Sequence, residues 1–175
     1  REPFIGNILI AVLVALVPLI TAVYELLPLN FMYKHILNTM YVSFEGMLFW
    51  SLGYALFAFL LTLIREMVKD IEDLEGDAAY GRNTIPIAFG IEWARYITIS
   101  VFVVTIGALL FVLFAYLQQG FAQLYMIIGI IIPLILTLIL FIVSNSAQTY
   151  HRVSTLLKII MILGLLYIIS KNILF

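Results

Sequence analysis

Between Arg95 and Arg152 the chain runs for 56 residues without an ionised side chain. A helix crosses the hydrocarbon core of a bilayer in about 20 residues, so this one stretch is long enough to cross twice. A water-soluble fold would have to hide it, together with the rest of a chain that is 65% hydrophobic and 11% charged, with a mean hydropathy of +1.17. Soluble domains are about 45–50% apolar. A chain of 175 residues has too little interior for the excess. The sequence therefore specifies a membrane protein.

The gaps between charges predict five spans, about 5–27, 41–68, 92–117, 121–144 and 153–174. Pro18 is expected to kink the first, and Glu25 to mark its far end. Gln118-Gln119-Gly120 divides the long uncharged stretch in two. The hydrophobicity of these windows follows no single stripe, as expected where one face meets lipid and another meets helices. Gly53, Gly107, Gly129 and Gly164 are read as places of close helix packing. The expected fold is all-α, a polytopic helical bundle forming one transmembrane domain over 1–175. The first residues, Arg1-Glu2-Pro3, show no basic-then-apolar leader, and the chain reads as part of something longer.

Lys and Arg placement sets the expected orientation. Arg1, Arg65, Lys69, Arg82, Arg95 and Arg152 fall on one side of a five-span layout, Lys34 and Lys171 on the other. This puts the 65–95 loop on the cytoplasmic side of the cell membrane. A net charge of −1 gives no field for nucleic acid. The lack of cysteine excludes thiolate metal sites, and the distance between the two histidines, His35 and His151, disfavours a histidine metal site.

Eleven of the 19 charged residues lie from Arg65 to Arg95. On one continuous helix, at about 100° per residue, Glu66, Asp70, Asp73 and Asp77 fall within an arc of about 60°. Glu72 and Glu75 point the other way, to solvent. Gly76 is a candidate helix end. Carboxylates on one face repel each other, and a hard divalent cation relieves this. Mg²⁺ in particular is held by one or two carboxylates plus waters and substrate phosphates. Arg82 offers a planar fork for phosphate oxygens, and Lys69 a compact charge beside Asp70. Acid, base and an apolar bundle together suit a substrate with a diphosphate head and a hydrocarbon tail. The competing reading is a solvated loop that only sets topology.

The string Arg65-Glu66-x-x-Lys69-Asp70-x-x-Asp73-x-x-Gly76-Asp77, followed by Gly81-Arg82-x-Thr84-Ile85-Pro86, resembles the second aspartate-rich motif of the UbiA superfamily of intramembrane prenyltransferases. Its form is most similar to the digeranylgeranylglyceryl phosphate synthase branch. Pro3-Phe4-Ile5-Gly6-Asn7 resembles the start of the family's fifth helix, and Ser154-x-x-x-Lys158-x-x-Met161-x-x-Gly164 its last. The resemblance implies the last five helices of a nine-helix fold. It implies Mg²⁺-dependent transfer of a prenyl group from a polyprenyl diphosphate to a lipid or aromatic acceptor. Asp70, Asp73 and Asp77 would be the catalytic, metal-binding carboxylates, and Lys69 and Arg82 would hold the diphosphate. The family's first motif, an Asn-Asp-x-x-Asp type sequence, has no counterpart in these 175 residues. The resemblance therefore also implies a missing N-terminal half or a partner chain.

Two other functions compete. One is a non-catalytic structural or accessory subunit of a larger membrane complex. The other is an ion pathway, disfavoured because the spans hold almost no central charge. Lys158 either snorkels to the interface or meets phosphate. Asn145, Tyr150, His151 and Arg152 share the side of the acidic loop. Glu45, Trp93 and Tyr96 are read as interfacial. Phe44, Phe49, Trp50, Tyr54, Phe57 and Phe59 are candidate aromatic faces for a cationic prenyl fragment, or simple packing.

Overall fold

The computed structural model describes the backbone of residues 3–39, 44–117 and 120–173, with side-chain surroundings for all of these except 30, 34–39, 44–45 and 168–173. The readings made for Arg1, Lys34, Phe44, Glu45, Gln118, Gln119 and Lys171 lie outside them. The described chain is helical, without strands. Its helices are α1 (Ile5–Thr39), α2 (Phe44–Glu72), α3 (Leu74–Ala79), α4 (Ile85–Phe89), α5 (Ile91–Tyr116), α6 (Phe121–Tyr125), a π-helix (Met126–Ile131), α7 (Ile132–Val143) and α8 (Ala147–Ile173). Five stretches are long and apolar enough to cross a membrane: Ile5–Tyr33, Gly46–Glu72, Ile91–Tyr116, Phe121–Val143 and Ala147–Tyr167.

Several helix ends differ from the sequence reading. α1 continues past Glu25 to Thr39, with Pro18 and Pro28 inside it, and its backbone leaves helical values at Tyr33 rather than at Pro18. α8 begins at Ala147, so Arg152 lies within its first two turns. Hydropathy reports where lipid is tolerated, whereas a helix continues wherever its backbone bonds are satisfied.

The chain divides into two compact units, one of residues 8–63 and a larger one of 1–7 and 64–175. In the larger unit α5 buries Ala94, Thr98, Phe102, Thr105, Leu109 and Leu113, one stripe at helical spacing. Half of that stripe is Ala and Thr, which is why hydrophobicity alone did not reveal it. The hydroxyls of Thr98, Thr105, Thr137 and Ser144 each donate to the carbonyl four residues back at 2.7 Å, so buried polar groups are satisfied without leaving their own helix. Phe102 packs on Phe141 of α7 (centroids 5.9 Å apart), and Phe141 on Tyr150 of α8 (5.7 Å). Among the described residues an added Cβ would meet nothing within 4 Å at Gly53 or Gly107, so no close helix contact forms there within them.

The fourth span is not a plain α-helix. Pro133 has no N–H to give the Gly129 carbonyl and its ring crowds that carbonyl. The turn immediately upstream widens into the π-helix, a common response to an interrupted ladder. Tyr125 steadies it by donating to the Leu163 carbonyl of α8 at 2.9 Å.

Candidate functional site

α2 leaves its span with Arg65 to Glu72 still helical and stops at Asp73, which caps α3. The break falls at Asp73, not at Gly76, which lies inside α3. The fourfold spacing nonetheless continues through it, since the Asp73 amide donates to the Lys69 carbonyl at 2.8 Å and the Asp77 amide to the Asp73 carbonyl at 2.9 Å. Gly81, at φ 65°, supplies the left-handed turn that ends α3. It lets the Arg82 amide return to the Asp77 carbonyl at 2.9 Å. Arg82 Nη1 then reaches the Asp77 carboxylate at 3.2 Å. Asp77 is buried and Arg82 is 70% exposed, so the guanidinium can exchange this partner for another anion.

The ends of α2, α3, α5 and the α7–α8 turn line an open-mouthed cavity of about 560 Å³. Asp73, Asp77 and Arg82 line it, as do Glu72, Asn145 and Tyr150. The turn that carries Asn145 is held by Arg95, whose Nη2 donates to the Ile142 carbonyl at 2.7 Å. Tyr150 Oη donates to the Ser144 carbonyl at 3.0 Å. Ser146 and Thr149 cap the start of α8 reciprocally, each side chain facing the other's backbone N–H.

The predicted site residues therefore separate. Asp73, Asp77 and Arg82 share the cavity, while Asp70 and Lys69 are outside its lining. Asp70 is half-buried and accepts at Oδ2 from Asn7 Nδ2, 2.7 Å away. It still interacts electrostatically with Asp77, Glu66 and Asp73, so the acidic face holds as a field although not as one wall. Lys69, in the last turn of α2, has no ion pair among the described residues.

Glu72 was expected in solvent. Its side chain is only 16% exposed, and its Oε1 lies 2.8 Å from Nδ1 of His151 on α8. Its other oxygen is buried without a partner among the described residues. Neither this pair nor Asn7 carries a local sequence signal. Asn7 is merely a lone amide in an apolar run, and its partner is 63 residues away.

Four carboxylates (Glu72, Asp73, Glu75 and Asp77) and one guanidinium line the cavity. A polyanion alone would be repelled there. Hard oxygen donors in excess suit a hard divalent cation. Among the described residues no three His, Cys, Asp or Glu side chains group together as a metal cage.

Residues 1–162 match the UbiA prenyltransferase family. The chain belongs to that family. The digeranylgeranylglyceryl phosphate synthase of Thermococcus sibiricus is 34% identical over 131 residues, covering 75% of this chain and 40% of the relative. That of Thermococcus kodakarensis is 31% identical over 157 residues, 90% of this chain and 48% of the relative. That of Methanosphaera stadtmanae is 35% identical over 120 residues, 65% of this chain and 42% of the relative. The chain thus spans less than half the length of these UbiA relatives. No solved structure matches it. The five membrane-length helices and the family together make it an integral membrane protein.

Proposed function

We propose that the protein transfers a prenyl group from a polyprenyl diphosphate to an acceptor within the membrane, with this chain supplying the second acidic half of the site. The observation that carries the reading is the cavity at the ends of the spans, lined by Asp73, Asp77 and Arg82, in a chain of this family. The relatives are named for a product with two geranylgeranyl chains on a glyceryl phosphate. We carry this over as the acceptor class, a glyceryl phosphate that already bears one prenyl chain. The facing acidic motif comes from outside these 175 residues, which form the last five of nine helices in one transmembrane domain. The α2–α5 connection lies on the cytoplasmic side of the cell membrane, where Lys and Arg concentrate.

Asp70, Asp73 and Asp77 would hold Mg²⁺ with the diphosphate. When bound, the ion neutralises the diphosphate and makes it a better leaving group. Arg82 exchanges Asp77 for a phosphate oxygen, to which its fork is matched, and Lys69 adds a second positive charge. The allylic C–O bond to the diphosphate then breaks with its electron pair going to the diphosphate, the acceptor hydroxyl oxygen forms the new C–O bond, and its proton passes to the released diphosphate. The apolar bundle keeps water from the cationic prenyl fragment.

The decisive experiment uses the full-length protein in detergent with labelled geranylgeranyl diphosphate and the monoprenyl glyceryl phosphate. Asp73→Asn and Asp77→Asn are expected each to remove Mg²⁺-dependent transfer. Full activity in both variants would refute the site.

A further inference from the structure

The acidic segment holds six carboxylates from Glu66 to Asp77. Three have a cationic or ionisable partner: Glu66 with Arg65, Asp77 with Arg82, and Glu72 with His151. Asp70 is treated differently. Its recorded partner is the side-chain amide of Asn7, in the first turn of α1, at 2.7 Å and partly buried. The two residues belong to the same compact unit.

The chemistry of that partner matters. A lysine or arginine at this place would orient Asp70 and also cancel its charge. An amide orients it and leaves the charge intact. Asp70 needs orienting, because Asp77, Glu66 and Asp73 all repel it, and a free side chain would turn away from them toward water. The amide holds it within their field. A carboxylate has about four acceptor positions, and Asn7 occupies one, on Oδ2. Oδ1 has no hydrogen-bond partner among the described residues. The amide's own orientation follows from the bond, since only its nitrogen can donate.

We propose that Asn7 is a positioning residue: its hydrogen bond to Oδ2 fixes Asp70 with its charge unneutralised and Oδ1 open to a divalent cation. This rests on the metal–diphosphate reading of the acidic segment. Asn7 itself touches neither metal nor substrate in this assignment and acts through Asp70. Outer partners of this kind are worth about ten- to a hundredfold in metal affinity.

The test is Mn²⁺ binding to the full-length protein in detergent with methylenediphosphonate, read by electron paramagnetic resonance, so that no turnover is needed. Asn7→Leu removes the donor at nearly constant volume and is expected to weaken Mn²⁺ about ten- to a hundredfold. Asp70→Asn weakens it at least as much, and the double variant binds no more weakly than Asp70→Asn alone, because one residue acts through the other. Wild-type affinity in Asn7→Leu, or losses that multiply in the double variant, overturn the proposal. Asn7→Ala replaces the leucine variant if leucine is not accommodated, and wild-type affinity there overturns it equally. Asp73→Asn separates the two levels. If it and Asp70→Asn both bind Mn²⁺ normally, the metal reading itself has failed; if they are defective and Asn7→Leu is not, only the role of Asn7 has.

Discussion

The two ends of the acidic segment solve the same electrostatic problem differently. At the α3 end, Asp77 is buried and balanced by an exposed guanidinium five residues on. At the α2 end, Asp70 is half-buried and held by a neutral amide from the start of α1. The first arrangement can release its counter-charge to an incoming phosphate. The second has no counter-charge to release, and in the proposed site its charge would serve a cation. A row of aspartates three and four residues apart thus conceals two kinds of position, one paired with a guanidinium and one with a neutral amide.

Substitutions can break that contrast, beginning with the largest effect. Asp73→Asn and Asp77→Asn should each lower transfer by at least about a hundredfold, the scale of losing one electrostatic group at a reacting centre, measured as kcat in the full-length protein. Arg82→Ala should raise KM for the prenyl diphosphate about tenfold, and it should also cost stability, because it leaves the buried Asp77 carboxylate without its guanidinium. Arg82→Lys should restore that KM only in part, since an ammonium lacks the bidentate fork; full restoration would show that charge alone matters there. His151→Ala removes the ring from Glu72 and should cost under about 1 kcal/mol, the ring being 67% exposed, with transfer unchanged. Smallest is Tyr125→Phe, which loses one interhelical hydrogen bond and should cost about 0.6 kcal/mol in detergent-to-SDS unfolding, again with wild-type transfer.

The spans and the acidic motif were legible because each rests on a strong local rule. Lipid demands long uncharged runs, and charge confined to one loop stands out against them. What was hidden depended on geometry between distant residues. The arc joining Asp70 to Asp77 assumed one unbroken helix, and the chain instead caps a new one at Asp73. Glu72, placed in solvent by the same wheel, is covered because α8 begins earlier than its charges suggested and brings His151 over it. Asn7 gave no sign of its partner, since a single amide at the start of a span predicts a polar contact but not which one.

Pro133 and the π-helix before it have a consequence for side-chain phase. A π-turn accommodates one residue more than the α-turn it replaces, so side chains beyond it are rotated by about 100° from where an uninterrupted helix would put them. Leu134, Thr137 and Phe141 face the interior in that shifted phase. A deletion of one residue between Met126 and Ile131 would remove that extra residue and leave the face where it is, whereas closing the π-turn to an α-turn at full length would rotate it by about 100°.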